Sequence, residues 1–126
     1  MNMKSKVLFI EDDRDQLSLY KIKFELEGFD FLSACNGTEG IAIAKENKPG
    51  LIFLDILMPD ENGLDVLKKL KKDEDTKGIP TVLFTNLSDK DSREEGMKLG
   101  AVDYFVKTDI TLKDLIRWSK ENIKSS

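Results

Sequence analysis

Residues 51–60 read Leu-Ile-Phe-Leu-Asp-Ile-Leu-Met-Pro-Asp, and they decide the fold. The first four are apolar without alternation, the pattern of a strand covered on both faces, as in a parallel sheet. Asp55 interrupts the run, and Ile56, Leu57, Met58 and Pro59 follow it. A lone acid in so apolar a stretch needs a partner, because an unpaired buried carboxylate is costly. The candidates are the ammonium of Lys107 or a metal ion.

Working outward, residues 7–10, 31–34, 81–84 and 104–106 are compact runs rich in Val, Ile, Leu and Phe, several of them also apolar without alternation, and read as strands. The segments between them have helical spacing. Residues 13–27 set Leu17, Tyr20 and Phe24 along one face with Leu26 near it, and Gly28 supplies a stop. Residues 38–47 suit a helix, although Ile41, Ala42, Ile43 and Ala44 would also tolerate a strand. Residues 64–72 carry Leu64, Leu67 and Leu70 on a buried stripe and lysines on a wet one. Residues 88–99 start at Ser88 and Asp91 and have few apolar anchors, which predicts the least firmly held helix. Thr111 and Asp114 resemble a capping box, with Ile110 and Leu115 as the hydrophobic staple around it. The last helix should face Leu112, Leu115, Ile116, Ser119 and Ile123 inward, with Trp118 flanking that face. Five strands alternating with five helices predict an α/β fold, a doubly wound parallel sheet in a three-layer sandwich.

The chain has 126 residues, enough for one domain, which we expect to span 1–126. Apolar residues make up 40% and charged residues 35%, which provides for a core and argues against disorder. A net charge of −4 repels a phosphate backbone and argues against direct nucleic-acid binding. There is no histidine, so a Ser-His-Asp triad, a His-ligated zinc and an internal phosphohistidine are excluded. The single cysteine, Cys35, cannot form an internal disulfide. The longest apolar runs fall far short of the about 20 residues that span a bilayer, and residues 1–6 are too polar for a signal peptide. A cytoplasmic protein without membrane insertion is expected.

In a doubly wound sheet, ligands gather at the carboxyl ends of the strands, beside the point where the strand order reverses. Those ends carry Glu11, Asp12 and Asp13 after the first strand, Asp55 after the third, Thr85 after the fourth and Lys107 after the fifth. Taken singly, each suits a helix cap or a wet turn. Together they bring acids, a hydroxyl and an ammonium to one rim from distant segments. Carboxylates crowded without His or Cys favour a hard divalent cation such as Mg²⁺. Asp13 followed by Gln16 fits a helix N-cap, so Glu11 and Asp12 are assigned to the metal and Asp13 to the helix.

The motifs Phe-Ile-Glu-Asp-Asp around Glu11 and Asp12, and Leu-Asp-Ile-Leu-Met-Pro-Asp around Asp55, complete the pattern with Gly63, Thr85 and Lys107 after Tyr104. With them the whole chain resembles a receiver domain of the two-component response regulators, similar to the stand-alone chemotaxis regulator. The resemblance implies a flavodoxin-like sheet of order 2-1-3-4-5. It implies that Asp55 accepts a phosphoryl group from the phosphohistidine of a sensor histidine kinase or histidine phosphotransfer protein. It further implies Mg²⁺ held by Glu11, Asp12, Asp55 and the Leu57 carbonyl, and Lys107 paired with the phosphate. Thr85 and Tyr104 would switch a surface that binds a downstream protein. Leu57, Asn86 and Leu87 would flank the path of the water that later removes the phosphoryl group. The chain departs from the family at Thr108, where proline after a cis peptide is usual; a cis bond before a non-proline costs about 2.5 to 4 kcal/mol, so a trans bond is expected.

Two other functions compete. A Mg²⁺-dependent haloacid-type phosphohydrolase would use Asp55 as nucleophile but usually carries a second Asp two residues on, where this chain has Leu57. A binding module with an idle pocket would not need the complete acid, threonine and lysine set. A signalling domain, rather than a turnover enzyme, is the expectation.

Overall fold

Successive residues of a strand point to opposite sides, and that period of two splits the core into two clusters. Val7, Phe9, Leu51, Phe53, Val82 and Phe84 join one cluster with Leu17, Tyr20, Phe24, Leu115 and Ile116. Leu8, Ile10, Ile52, Leu54 and Leu83 join the other, with Ala44, Leu64, Val66, Leu67 and Leu70. The computed structural model describes residues 4–124.

The elements run β1 (Lys6–Ile10), α1 (Arg14–Leu26), β2 (Asp30–Ala34), α2 (Gly37–Asn47), β3 (Leu51–Leu54), α3 (Gly63–Lys72), β4 (Thr81–Thr85), α4 (Lys90–Lys98), β5 (Asp103–Val106), a single 3-10 turn (Lys107–Asp109) and α5 (Leu112–Asn122). All strand pairs are parallel, in the order β2-β1-β3-β4-β5. The expected α/β architecture and strand order are therefore present. Helices α1 and α5 cover the aromatic cluster, and α2 and α3 cover the aliphatic one. Both β3 and β4 are buried along their whole length, as their unbroken apolar runs require.

Phe9 is the centre of the aromatic side. Its ring stacks on Phe53 at 4.5 Å and on Phe31 at 5.2 Å, and meets Phe24 edge-on at 5.2 Å. Trp118 lies at the margin, half-buried, with its ring edge-on to Phe105 at 5.1 Å and to Phe53 at 6.2 Å.

Several local expectations are corrected. Leu26 is 75% exposed rather than near the buried face, because two residues on from Phe24 is about 200° around the helix. Asp89, not Ser88, caps α4: its carboxylate accepts from the Ser92 amide at 3.0 Å, so the helix starts one residue later. Thr111 does cap α5, but the Asp114 carboxylate accepts from Arg117 at 2.8 Å rather than closing the box. The helix expected over 38–47 is present, as Gly37–Asn47 capped by Asn36, and the strand that its sequence would also tolerate is not formed. Ile123 lies just past the end of α5, half-buried. As expected, α4 is thinly anchored: its one buried residue is Gly96, where an added Cβ would lie 2.3 Å from Leu83.

Candidate functional site

The parallel ladder carries the acids to one rim. The Glu11 amide donates to the Ala34 carbonyl at 3.0 Å, and the Asp55 amide donates to the Ile10 carbonyl at 3.1 Å. The continued pairing sets the ends of β1 and β3 side by side, where the strand order reverses. Glu11, Asp12 and Asp55 each offer an oxygen within 4.8 Å of the others. Glu11 and Asp55 are buried, and Asp12 is more open.

Lys107 enters this group from the end of β5. Its Nζ donates to Asp55 Oδ2 at 2.9 Å, to Gln16 Oε1 at 2.9 Å, and to Glu11 Oε1. The ammonium also lies 5.7 Å from the centre of the Phe84 ring. Asp55 Oδ1 accepts from the Leu57 amide at 3.0 Å, so both carboxylate oxygens of the buried acid are satisfied. The Lys107 to Thr108 peptide is trans, as expected, and no cis peptide occurs among the described residues.

Burial pushes the Glu11 carboxyl up to about 7, against the pull of the Lys107 ammonium and the Asp13 amide, and the Asp55 charge adds to the rise. Burial works to lower Lys107, but its bonds to Glu11 and Asp55 outweigh that and hold its affinity for a proton above the ordinary value. One ammonium thus leaves the acidic pocket short of positive charge. The donors are all oxygen and closely grouped, a set that fits a hard divalent cation.

Asp13 caps α1 as predicted, accepting from the Asp15 and Gln16 amides at 3.0 and 3.1 Å. Its own amide donates to Glu11 Oε2 at 3.1 Å, so the cap also steadies the neighbouring acid. Gln16 does not reach back to the Asp13 amide as a capping box would; its side chain turns to Lys107. Gly63 begins α3 against the site: an added Cβ would stand 2.1 Å from the Asp55 carbonyl oxygen. Only glycine permits that approach.

Thr85 is buried at the end of β4, and its hydroxyl accepts from the Leu87 amide at 3.4 Å. Tyr104 is 1% exposed, and its hydroxyl donates to the Leu87 carbonyl at 2.7 Å. Leu87 therefore joins the two hydroxyls through its own backbone. The Arg93 guanidinium donates to the Tyr104 carbonyl at 3.1 Å and lies 5.3 Å from the ring centre. Of the three residues expected along the water path, Leu57 and Asn86 are exposed and Leu87 is half-buried.

The sequence reading missed Gln16 and Arg93 as neighbours of the site. For Gln16 a signal existed: Tyr20 lies four residues on, the spacing at which helical side chains meet, and its hydroxyl donates to Gln16 Oε1 at 2.9 Å. For Arg93 none did, since its partner is a backbone carbonyl on another element.

A family model described as the response regulator receiver domain matches residues 7–117. Protein PilH of Pseudomonas aeruginosa is 31% identical over 103 residues, 82% of this chain and 85% of that protein. A probable transcriptional regulator, ycf27 of Porphyridium aerugineum, is 36% identical over 104 residues, 82% of this chain and 42% of that protein. The chain thus spans less than half the length of the first curated relatives it matches. Among solved structures, the receiver domain of the Francisella response regulator 1452 superposes with a TM-score of 0.84 at 30% identity, covering 94% of this chain and 95% of that one. The Vibrio cholerae chemotaxis protein CheY4 superposes at 0.88 with 21% identity, covering 96% and 100%, a likeness of fold.

Proposed function

This chain belongs to the response regulator receiver family, and we propose that it accepts a phosphoryl group on Asp55 from the phosphohistidine of a sensor histidine kinase or histidine phosphotransfer protein. A carboxylate oxygen of Asp55 attacks phosphorus, the new O–P bond forms, the N–P bond breaks, and the leaving imidazole takes up a proton. Glu11, Asp12, Asp55 and the Leu57 carbonyl would hold Mg²⁺, which supplies neutralisation of the phosphoryl oxygens when bound. The chain's own share is positioning and electrostatics, because phosphoryl transfer asks little covalent chemistry of a protein. Asp55 is oriented by the Leu57 amide and Lys107, and the ammonium is at hand to pair with the phosphoryl oxygens. The observation that carries this reading is the meeting of Asp55, Glu11, Asp12 and Lys107 at one rim.

The output is a change of surface. Thr85 turns its hydroxyl toward the phosphoryl group, Tyr104 repacks, and α4, β5 and α5 present a new face to a downstream protein partner in the cytoplasm. The bond of the Leu87 backbone to both hydroxyls supports such coupling. The apolar side chains of Leu57 and Leu87, with Asn86 beside them, leave the hydrolytic water poorly oriented, so the phosphoryl group is retained for long.

Incubation with phosphoramidate and Mg²⁺, followed by intact mass, tests both statements. One phosphoryl group should be gained by the wild type and none by Asp55→Asn; uptake by Asp55→Asn would overturn the site. After the donor is removed, a Leu57→Asn, Leu87→Glu double variant should lose the group faster than wild type. Equal or slower loss would show that these leucines do not set the lifetime.

A further inference from the structure

The side chain of Gln16 has no part in the reading above, yet all of its polar atoms are engaged at the pocket. Its Oε1 accepts from Lys107 Nζ and from the Tyr20 hydroxyl, both at 2.9 Å, and its Nε2 donates to Asp13 Oδ2 at 3.1 Å. These partners fix which way the amide faces, since the reverse would set an NH₂ against an ammonium. Burial pushes the Tyr20 hydroxyl up to about 12, so it remains a donor and keeps Oε1 turned to its acceptor role.

An ammonium has three protons, and Lys107 gives them to Glu11, Asp55 and Gln16. Two of these partners are carboxylates that change state in the proposed reaction: one becomes phosphorylated, and both are assigned to the cation. Gln16 is neutral, lies outside the acidic group, and is mounted on α1 between its N-cap and the buried Leu17. It is the one of the lysine's three hydrogen bonds that the chemistry leaves in place.

We propose that Gln16 is a positioning residue for Lys107: its carboxamide holds one proton of the ammonium fixed while the other two pass from the carboxylates to the phosphoryl oxygens. A lysine on four rotatable bonds would otherwise have to be ordered anew at each transfer. Tyr20 stands behind it as the second donor on the same oxygen and limits the swing of the amide. The inference rests on the phosphoryl-acceptor reading for the role of Lys107, but the hold itself is a separate fact of the resting pocket.

The test uses the full chain as wild type, Gln16→Met, Lys107→Ala and the double variant. One readout is the ¹⁵N signal of the Lys107 ammonium, whose protons exchange slowly only while held. The other is the rate of phosphoryl uptake from phosphoramidate at saturating Mg²⁺. Gln16→Met should leave the fold intact, make the ammonium protons exchange faster than in wild type because only the two carboxylate bonds remain, and slow uptake about tenfold. In the Lys107→Ala background the same change should alter the rate by less than about twofold, because the group it positions is gone. Equal slowing in both backgrounds, or an unchanged ammonium signal in Gln16→Met, would overturn the proposal. Should Gln16→Met fail to fold, Gln16→Asn keeps the amide, withdraws it by one methylene and is read the same way. If wild type takes up no phosphoryl group, the phosphoryl-acceptor reading fails, and the ammonium signal still decides whether Gln16 holds Lys107.

Discussion

Tyr20 shows how far the charge of the pocket reaches at the scale of one residue. Its hydroxyl is held up at about 12, chiefly by burial, with the carboxylates of Glu11, Asp55 and Asp13 adding to the rise and Lys107 opposing it. Tyr104, the other tyrosine, is also raised, again chiefly by burial. An unfolded tyrosine titrates near its ordinary value of 10.0, so between there and about 12 the unfolded chain gives up its Tyr20 proton first. The stability this group contributes is fully present below pH 10 and is lost as pH rises through about 12. Tyrosinate absorbance should therefore appear at higher pH in the native protein than in the chain unfolded in urea; coincident titrations would contradict the burial argument. Residue roles differ in how readable they are. Asp55 stands out in any reading because it breaks an apolar run, whereas Arg93 on α4 is an unremarkable charge until the Tyr104 carbonyl of β5 is placed beside it.

Among the elements, α3 and α4 approach the sheet in different ways, and two glycines measure the difference. A Cβ at Gly63 would meet backbone, the Asp55 carbonyl oxygen at 2.1 Å, which cannot yield without moving the strand end that carries the acid. A Cβ at Gly96 would meet the tip of Leu83, which can rotate away. Gly63→Ala should cost about 1 to 3 kcal/mol, the range of overpacking, and should slow phosphoryl uptake as well. Gly96→Ala should cost less and leave uptake near wild type. Urea denaturation and the phosphoramidate assay on both variants check this, and the reverse order of cost would contradict it. Periodicity revealed that these helices exist and which stripe of α3 is buried. It could not choose between Ser88 and Asp89 as the cap of α4, because both side chains can accept the same amide and only the packed register decides.

For the whole molecule, the sheet divides an aromatic core from an aliphatic one, and the aromatic side is centred on Phe9. Phe9→Ala should lower stability by about 3 to 5 kcal/mol through the lost burial and the cavity it leaves. A urea midpoint close to wild type would show that the neighbouring rings collapse into the space. The architecture and the rim of acids were legible because parallel strands force apolar runs and put chemistry at their ends. The links between elements at the rim were not: helical spacing pairs Gln16 with Tyr20, but the shared Leu87 backbone and the bond from Lys107 to Gln16 depend on distances between elements that no spacing encodes. The partition has a genetic corollary. Tyr104 belongs to the aliphatic side and Trp118 packs on the aromatic one. Random mutagenesis should then sort by face: lesions under α1 and α5 reduce protein abundance and are rescued by any global stabiliser. Lesions between β5 and α4 would bias signalling at normal abundance, and their suppressors would be allele-specific.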